Sequence, residues 1–363
     1  MATKMKVLIL SSACCIHTRK WCNGLAQKGL DVHLVSQQVP MEGYRNDVTF
    51  HKLPYQGLKG YFLNGRALKK VIKKINPDVI NVHYASGYGT LAAIAGLKNF
   101  IMSVWGSDVY DFPFTSPLHH KLVNYNLNRS SVICSTSEVM GEFVSNNFSL
   151  KKNLSIQITP FGVDVSKFKK KKLESNKTSF VIGTVKTLRP KYGIDNLIKA
   201  FAFLVNKGHN NISLRIAGKG FMREQLEELT RTLGVSDKVE FLGWVENDKV
   251  PSLLNTFDVY VAPSTLDSES FGVAIVEASS CELPVIVTRV GGLPEVVIDN
   301  KTGIVVEPND IELLSDAMEA LINDQNLCSS LGETGRKHVI EKYEWNYCVD
   351  KMISIYDKYR YKA

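Results

Sequence analysis

Two glutamates eight residues apart, Glu269 and Glu277, bracket Ser270-Phe271-Gly272 shortly after the apolar run Val259-Tyr260-Val261-Ala262. A strand that ends in a loop and continues as a helix puts that loop at the carboxyl edge of a parallel sheet, where doubly wound domains bind ligands. The backbone N–H groups of Ser270, Phe271 and Gly272, with the positive end of a helix dipole, suit a diphosphate. A helical path from Glu269 to Glu277 separates the two carboxylates by about 12 Å. One then accepts from ribose hydroxyls while the other meets sugar hydroxyls beyond the phosphates. The plainer alternative is a helix cap and a surface glutamate. Ala274, Ile275, Val276 and Ala278 leave Glu277 as the lone charge of an apolar helix, which is unfavourable unless something pairs with it.

Two further segments place polar groups at strand ends. Phe100-Ile101-Met102-Ser103-Val104 runs into Trp105-Gly106-Ser107-Asp108, so Trp105, Ser107 and Asp108 face a ligand crevice. Asp108 is either a reacting carboxylate or a turn cap. Ser11-Ser12-Ala13-Cys14-Cys15-Ile16-His17 follows the first strand and leads into a helix that stops near Gly29. His17 can contact an acceptor or a phosphate from that loop.

The elements that must hold these residues alternate. Short β-rich runs at 6–10, 32–35, 48–53, 79–83, 100–104, 132–135 and 155–159, then at 180–185, 213–217, 239–242, 259–262, 284–288 and 303–306, are separated by helical segments. That pattern predicts parallel sheets covered by helices on both faces, and 363 residues suffice for two such domains. Pro160-Phe161-Gly162-Val163-Asp164 and the lysine-rich coil at 167–172 mark the boundary. The domains are therefore expected at 1–163 and 164–344, with a C-terminal helix at about 345–363 packing back on the first. Past residue 313 the chain reads as helical.

Composition narrows the classes. With 44% hydrophobic and 22% charged residues, the chain is an ordinary globular protein rather than a disordered or collagen-like one. No run approaches the length of a membrane span, and the start reads as a buried strand rather than an export signal. Seven cysteines form no CxxC pair, so neither zinc nor a disulfide framework is signalled, and a reduced, cytoplasmic setting is expected. A net charge of +8 favours anionic partners such as nucleotides or a membrane surface. No zinc-finger spacing or RNA-recognition signature accompanies it, and nucleic acid is not expected. A helix over 68–75 puts Leu68, Val71, Ile72 and Ile75 on one face and Lys69, Lys70, Lys73 and Lys74 on the other. It is a surface helix, or a peripheral contact with anionic lipid on the inner face of the cell membrane.

The run Ser264-Thr265-Leu266-Asp267-Ser268-Glu269-Ser270-Phe271-Gly272-Val273-Ala274-Ile275-Val276-Glu277-Ala278 resembles the signature of the family 4 retaining glycosyltransferases, the glycosyl transferases of group 1. Ile216-Ala217-Gly218-Lys219-Gly220, Phe241-Leu242-Gly243-Trp244-Val245, Val290-Gly291-Gly292-Leu293-Pro294-Glu295 and Asn300-Lys301-Thr302-Gly303 resemble its other segments, in order across the second half. The resemblance implies an α/β GT-B fold, two Rossmann-like domains facing each other across a donor-binding cleft that closes during turnover. It gives Glu269 the donor sugar, Glu277 the ribose, Val245 the edge of the base, and Gly218 a place beside the cleft. Trp244 alone is expected to be a packed tryptophan.

Donor phosphates in that family meet an arginine and, five residues on, a lysine. Here Lys186 and Lys191 keep the spacing, and Arg189 lies between them; Lys186 lacks the bidentate fork of arginine. Many relatives place a histidine near the donor sugar where this chain offers Asp108. The expected reaction is metal-independent transfer of a hexosyl group, with retention, from a nucleotide-diphosphate sugar. A UDP-sugar is the expected donor, and the acceptor a glycan, a lipid-linked or a small molecule in surface polysaccharide or glycoconjugate synthesis. Glu269, Asp108 and Lys191 are the candidates for chemistry. Lys186, Gly218, Val245, Ser270, Phe271, Gly272 and Glu277 bind donor beside them, and His17, Trp105 and Ser107 stand on the acceptor side. No cofactor beyond the nucleotide sugar is expected. The alternatives are a nucleotide-sugar epimerase or a phosphorylase on the same fold and, of another class, a non-catalytic two-domain solute-binding protein.

Overall fold

The computed structural model describes residues 4–171 and 179–361, so Lys172 of the lysine run lies outside the described residues. The chain runs β1 (Lys6–Leu10), α1 (Ile16–Gln27), β2 (Asp31–Ser36), β3 (Val48–Lys52), α2 (Gly57–Leu63), α3 (Gly65–Ile75), β4 (Val79–His83), α4 (Gly87–Ile94), β5 (Phe100–Val104), α5 (Ser107–Tyr110), α6 (Pro117–Asn128), β6 (Ser130–Ser135), α7 (Glu138–Asn147) and β7 (Ser155–Ile158). It continues as β8 (Phe180–Val185), α8 (Ile194–Asn206), β9 (Ile212–Ala217), α9 (Arg223–Thr232), β10 (Val239–Gly243), α10 (Val250–Leu254), β11 (Val259–Ala262), α11 (Val273–Ser280), β12 (Val285–Thr288), α12 (Leu293–Val296) and β13 (Ile304–Val306). Three helices close it: α13 (Ile311–Asn323), α14 (Gln325–Tyr343) and α15 (Trp345–Lys358). Two compact units result, one of residues 1–161 with 346–363, the other of residues 162–345.

The first unit holds a seven-stranded sheet in the order β3-β2-β1-β4-β5-β6-β7, the second a six-stranded sheet in the order β10-β9-β8-β11-β12-β13. Every pairing in both is parallel. Strand order reverses between β1 and β4, and again between β8 and β11, which makes the carboxyl ends of those strands the ligand-binding edges. Buried on both faces, the central strands are near-continuous apolar runs: Val7, Leu8, Ile9 and Leu10 are fully buried in one unit, Val259, Tyr260, Val261 and Ala262 in the other.

The surface helix α3 buries Leu68 and Ile75 and exposes Lys69, Lys70, Lys73 and Lys74. It ends where Asn76 takes a left-handed φ of 48° and donates its N–H to Ile72 O at 2.8 Å, the residue before a proline being barred from further helix. In the first unit, α15 buries Cys348, Val349, Met352 and Tyr356. Fully buried Asn81 of β4 donates to Tyr356 Oη at 2.8 Å, and Tyr361 N–H donates to Asp78 O at 2.7 Å. No helix among the described residues is long and apolar enough to cross a membrane.

Candidate functional site

The second unit gathers its candidate residues from the two loops at its switch point. After β8 the chain passes Lys186 and Lys191 before Gly193, which turns with φ 60° so close to the β11 loop that a Cβ would stand 2.0 Å from Pro263 O. Thr265 N–H donates to Lys191 O at 2.8 Å and ties the same two loops together. The result is an ion pair across 83 residues of sequence, Lys186 Nζ donating to Glu269 Oε1 at 2.8 Å, with side chains only 10% and 11% exposed. Tyr192 is near both cations, its ring centre 4.8 Å from Lys186 Nζ and 5.0 Å from Lys191 Nζ. The face of an aromatic ring attracts a cation, so Tyr192 draws both ammonium groups to one place. Arg189 is exposed, and no hydrogen bond or ion pair joins its guanidinium to any described residue.

Glu269 does not begin a helix. Gly272 holds the left-handed region at φ 82° and α11 starts at Val273, so residues 269–272 form a loop and the helical spacing of the two carboxylates does not apply. Glycines hold that loop from the other side. Gly292 N–H donates to Glu269 O at 3.0 Å and Gly291 N–H to Asp267 Oδ1 at 2.9 Å. A Cβ on Gly292 would stand 2.2 Å from Ser270 O, and one on Gly291 2.3 Å from Glu269 O. Phe271 is buried, with its ring edge against Tyr343 at 5.4 Å. Glu277 is half-buried on α11. Tyr260, fully buried, donates its hydroxyl to Val185 O at 3.2 Å. Burial raises its phenol well above the ordinary range, and the charges of Glu269 and Glu277 add to the effect. Both carboxylates therefore act on the same buried ring.

Gly218, with φ 147°, fits against Lys186 O, where a Cβ would lie 1.8 Å away, and donates its N–H to Gly243 O at 2.7 Å. That bond brings the ends of β9 and β10, and half-buried Val245 beyond them, into register with Lys186. Trp244 is not a packed tryptophan: it is 61% exposed, because Gly243 at φ 70° turns the chain out of the sheet.

In the first unit Asp108 is buried, and its carboxylate serves its own loop. Oδ2 accepts from Ala85 N–H at 2.8 Å, and Oδ1 from Trp105 N–H at 3.0 Å and Gly106 N–H at 2.9 Å. Burial raises its carboxyl above the ordinary value while these amides oppose the shift. The geometry is that of a loop cap joining the ends of β4 and β5. Ser107 is exposed. His17 stacks on Phe161 at 4.2 Å and meets Trp105 edge-on at 5.9 Å, with Nδ1 enclosed and without a partner. Burial, then Lys20, lowers its pKa to about 4, so it is a neutral imidazole at neutral pH.

Two neighbouring residues carry no functional signal in the sequence. His83, at the end of β4, is fully buried against Trp105 at 4.5 Å, shares a 3.2 Å hydrogen bond with Ser11 Oγ and has its pKa lowered to about 3 by burial. Tyr192, adjacent to Lys191, was legible only as an aromatic in a loop.

Two family models account for most of the chain. Glycosyl transferase 4-like matches residues 6–137 and Glycosyl transferases group 1 matches residues 165–338. The chain is 27% identical to the capsular polysaccharide biosynthesis glycosyltransferase CapM of Staphylococcus aureus over 92% of both chains. It is 30% identical, over 54% of each chain, to a GDP-mannose-dependent alpha-(1-6)-phosphatidylinositol monomannoside mannosyltransferase of Mycobacterium tuberculosis. Anabaena Alr3699/HepE, solved in complex with UDP, superposes with a TM-score of 0.81 over 98% of this chain and 100% of that one at 18% identity. With its two parallel sheets of GT-B architecture and matches along both halves, the chain belongs to the glycosyl transferases of group 1, the family 4 glycosyltransferases.

Proposed function

We propose that this glycosyltransferase moves a hexosyl group, with retention, from a UDP-sugar to a glycan or lipid-linked acceptor in surface polysaccharide or glycoconjugate synthesis. The observation that carries the proposal is the assembly at the β8/β11 edge, where Lys186 pairs with Glu269 in the loop that leads into α11 and the Tyr192 ring lies within 5.0 Å of the ammonium groups of Lys186 and Lys191. Two ammonium groups and the first amides of a helix neutralise the charge that grows on a departing diphosphate. The same groups make a metal and a cofactor unnecessary to the proposed step. Glu269 orients the sugar hydroxyls, Glu277 accepts from the ribose, and main-chain atoms of Val245 read the base. In a front-face displacement the departing diphosphate oxygen takes the acceptor proton, so no protein carboxylate has to attack. Asp108 then holds the acceptor-side loop and does not exchange protons.

The capsular polysaccharide role of the Staphylococcus aureus relative supports the product class. The UDP complex of the Anabaena protein makes UDP-sugars the first donors to try, and the GDP-mannose dependence of the mycobacterial relative makes GDP-sugars the control. Calorimetry against UDP, GDP and their sugars, followed by NMR of the anomeric linkage in the product, tests the proposal. UDP-sugar binding that Glu277→Ala abolishes, with an α-donor giving an α-product, is the expected result. An inverted linkage overturns retention, GDP-sugar preference overturns the donor, and conversion of the donor without any acceptor points to an epimerase.

A further inference from the structure

The first unit contains a cavity of about 370 Å³ at the carboxyl edge of its sheet, bounded by the loops after β1, β4 and β5 and by α2, α4 and α6. None of its fourteen lining residues is charged, and none carries a side-chain amide. Tyr61 and Tyr88 meet edge-to-face at 5.3 Å, as do Tyr84 and Trp105 at 5.6 Å. Gly87 leaves room for this arrangement, since a Cβ there would stand 2.6 Å from the Tyr61 ring. The hydroxyl of Tyr88 donates to Gln38 Oε1 at 2.7 Å, so its polar tip is already engaged. Leu58 and Phe62 of α2 line the cavity while 76% and 51% exposed, which places them at its mouth.

A sugar ring buried in such a chamber would exchange its water for few hydrogen-bonding groups, an unfavourable exchange. A hydrocarbon chain loses nothing on entering and gains from leaving water. The surroundings of the mouth select the source of that chain. Leu63 and Tyr55 beside it are also exposed, 54% and 50%. From residue 53 to residue 77 the sequence carries Lys59, Arg66, Lys69, Lys70, Lys73 and Lys74 and no aspartate or glutamate, and all six cations are exposed. Apolar side chains set among cations alone complement an anionic bilayer surface.

We infer that this cavity receives the hydrocarbon chain of a membrane-borne acceptor whose anionic linking group meets the α2–α3 cations. The inference rests on the transferase proposal for its biological sense, and it names the acceptor class of that reaction: a sugar or alcohol linked through an anionic group to an acyl or prenyl chain. Of the hydroxyls in the lining, Ser11 Oγ is engaged with Thr18 and His83, and Thr90 Oγ1 with Ser86 O and Asn126, so the interior keeps few groups for a polar guest.

Calorimetry of the full chain with butyl, octyl and dodecyl phosphate, each below its critical micelle concentration, tests the site directly. Affinity is expected to rise about fourfold per methylene over the first several carbons and then level as the cavity fills. The rim variant Leu58→Gln/Phe62→Gln, both positions exposed and safe for folding, is expected to lower dodecyl phosphate affinity at least tenfold without altering UDP-sugar binding. Replacing Lys69, Lys70, Lys73 and Lys74 by glutamine is expected to release the protein from phosphatidylglycerol vesicles in flotation and to weaken dodecyl phosphate binding several-fold, while the gain in affinity per methylene persists. Binding that is independent of chain length, an inert rim variant, or tighter binding of a chain-free sugar phosphate or planar aryl glucoside overturns the inference. Chain-dependent binding without transfer from any nucleotide sugar would leave the cavity as inferred and remove the transferase proposal. Transfer to soluble glycans alone, with flat chain dependence, would do the reverse.

Discussion

Lys186 holds two relationships at once, an ion pair with Glu269 and a position on the Tyr192 ring. A diphosphate arriving there competes with Glu269 for the ammonium, and a glutamate released from the lysine is free to meet sugar hydroxyls. Lys186→Ala leaves Glu269 an unpaired, largely buried carboxylate and removes a charge-assisted contact worth about 1.5–3 kcal/mol. A loss of kcat/KM for donor on the order of 10- to 100-fold is expected, with partial recovery in Lys186→Arg; a loss below twofold would remove Lys186 from the donor site. The histidines offer a second test. His17 and His83 are held neutral, at about 4 and about 3. Their folded pKa values lie below the unfolded value near 6.5, so the stability they contribute is fully present above that pH. It is lost as pH falls from 6.5 toward the folded values, by about 1.4 kcal/mol per pH unit for each histidine. Urea midpoints measured at pH 7.5, 6.0 and 5.0 should therefore fall steeply, and His83→Gln should flatten the slope. A midpoint that holds constant through this window would contradict neutral, packed imidazoles.

At the scale of elements, the loop carrying Glu269 is shaped more by its neighbours than by its own sequence. Gly292 has an ordinary negative φ, so Gly292→Ala introduces no backbone strain, only a methyl 2.2 Å from Ser270 O. The loop must shift to admit it. Donor KM is expected to rise at least several-fold while far-ultraviolet circular dichroism stays unchanged, and an unchanged KM would mean that the position of residues 267–270 does not matter to donor binding. This dependence also explains what was legible beforehand. All thirteen strands of the two sheets fall within two residues of the runs that announced them; the central ones do so because strands buried on both faces must be apolar throughout, whereas the edge strands β3 and β10 mix polar and partly exposed residues. The start of α11 was misplaced because the left-handed turn at Gly272 is set by Ile275 and Leu293 packing around it. Trp244 was misjudged for a related reason: a tryptophan after a strand belongs to the core unless the chain turns outward, and Gly243 turns it. The Lys186–Glu269 pair was hidden for a third reason, since two residues 83 positions apart meet only once β8 and β11 lie side by side.

At the scale of the molecule, the first unit is completed by the last residues of the chain. Asn81, in the middle of a buried strand, has a side chain that no apolar neighbour can satisfy; Tyr356 Oη accepts from it at 2.8 Å and Ser103 Oγ donates to it at 3.0 Å. Around this polar centre Cys348, Val349, Met352 and Ile355 bury the apolar face of α15. Tyr356→Phe removes one partner and leaves a buried amide unsatisfied, at a cost of about 1–3 kcal/mol, whereas Tyr356→Phe with Asn81→Leu removes both groups of that pair and should recover part of the loss, the Ser103 hydroxyl being left without its acceptor. Calorimetric unfolding of the wild type, of each single variant and of the double variant measures the coupling as a mutant cycle. Additive effects would mean that the pair is incidental to the fit of the helix. Removal of residues 346–363 takes away the whole face, so the transition belonging to residues 1–161 should broaden or vanish while the transition belonging to residues 162–345 survives. UDP-sugar binding by such a truncated chain would persist without transfer, separating the unit that carries Glu269 from the unit that must fold around α15.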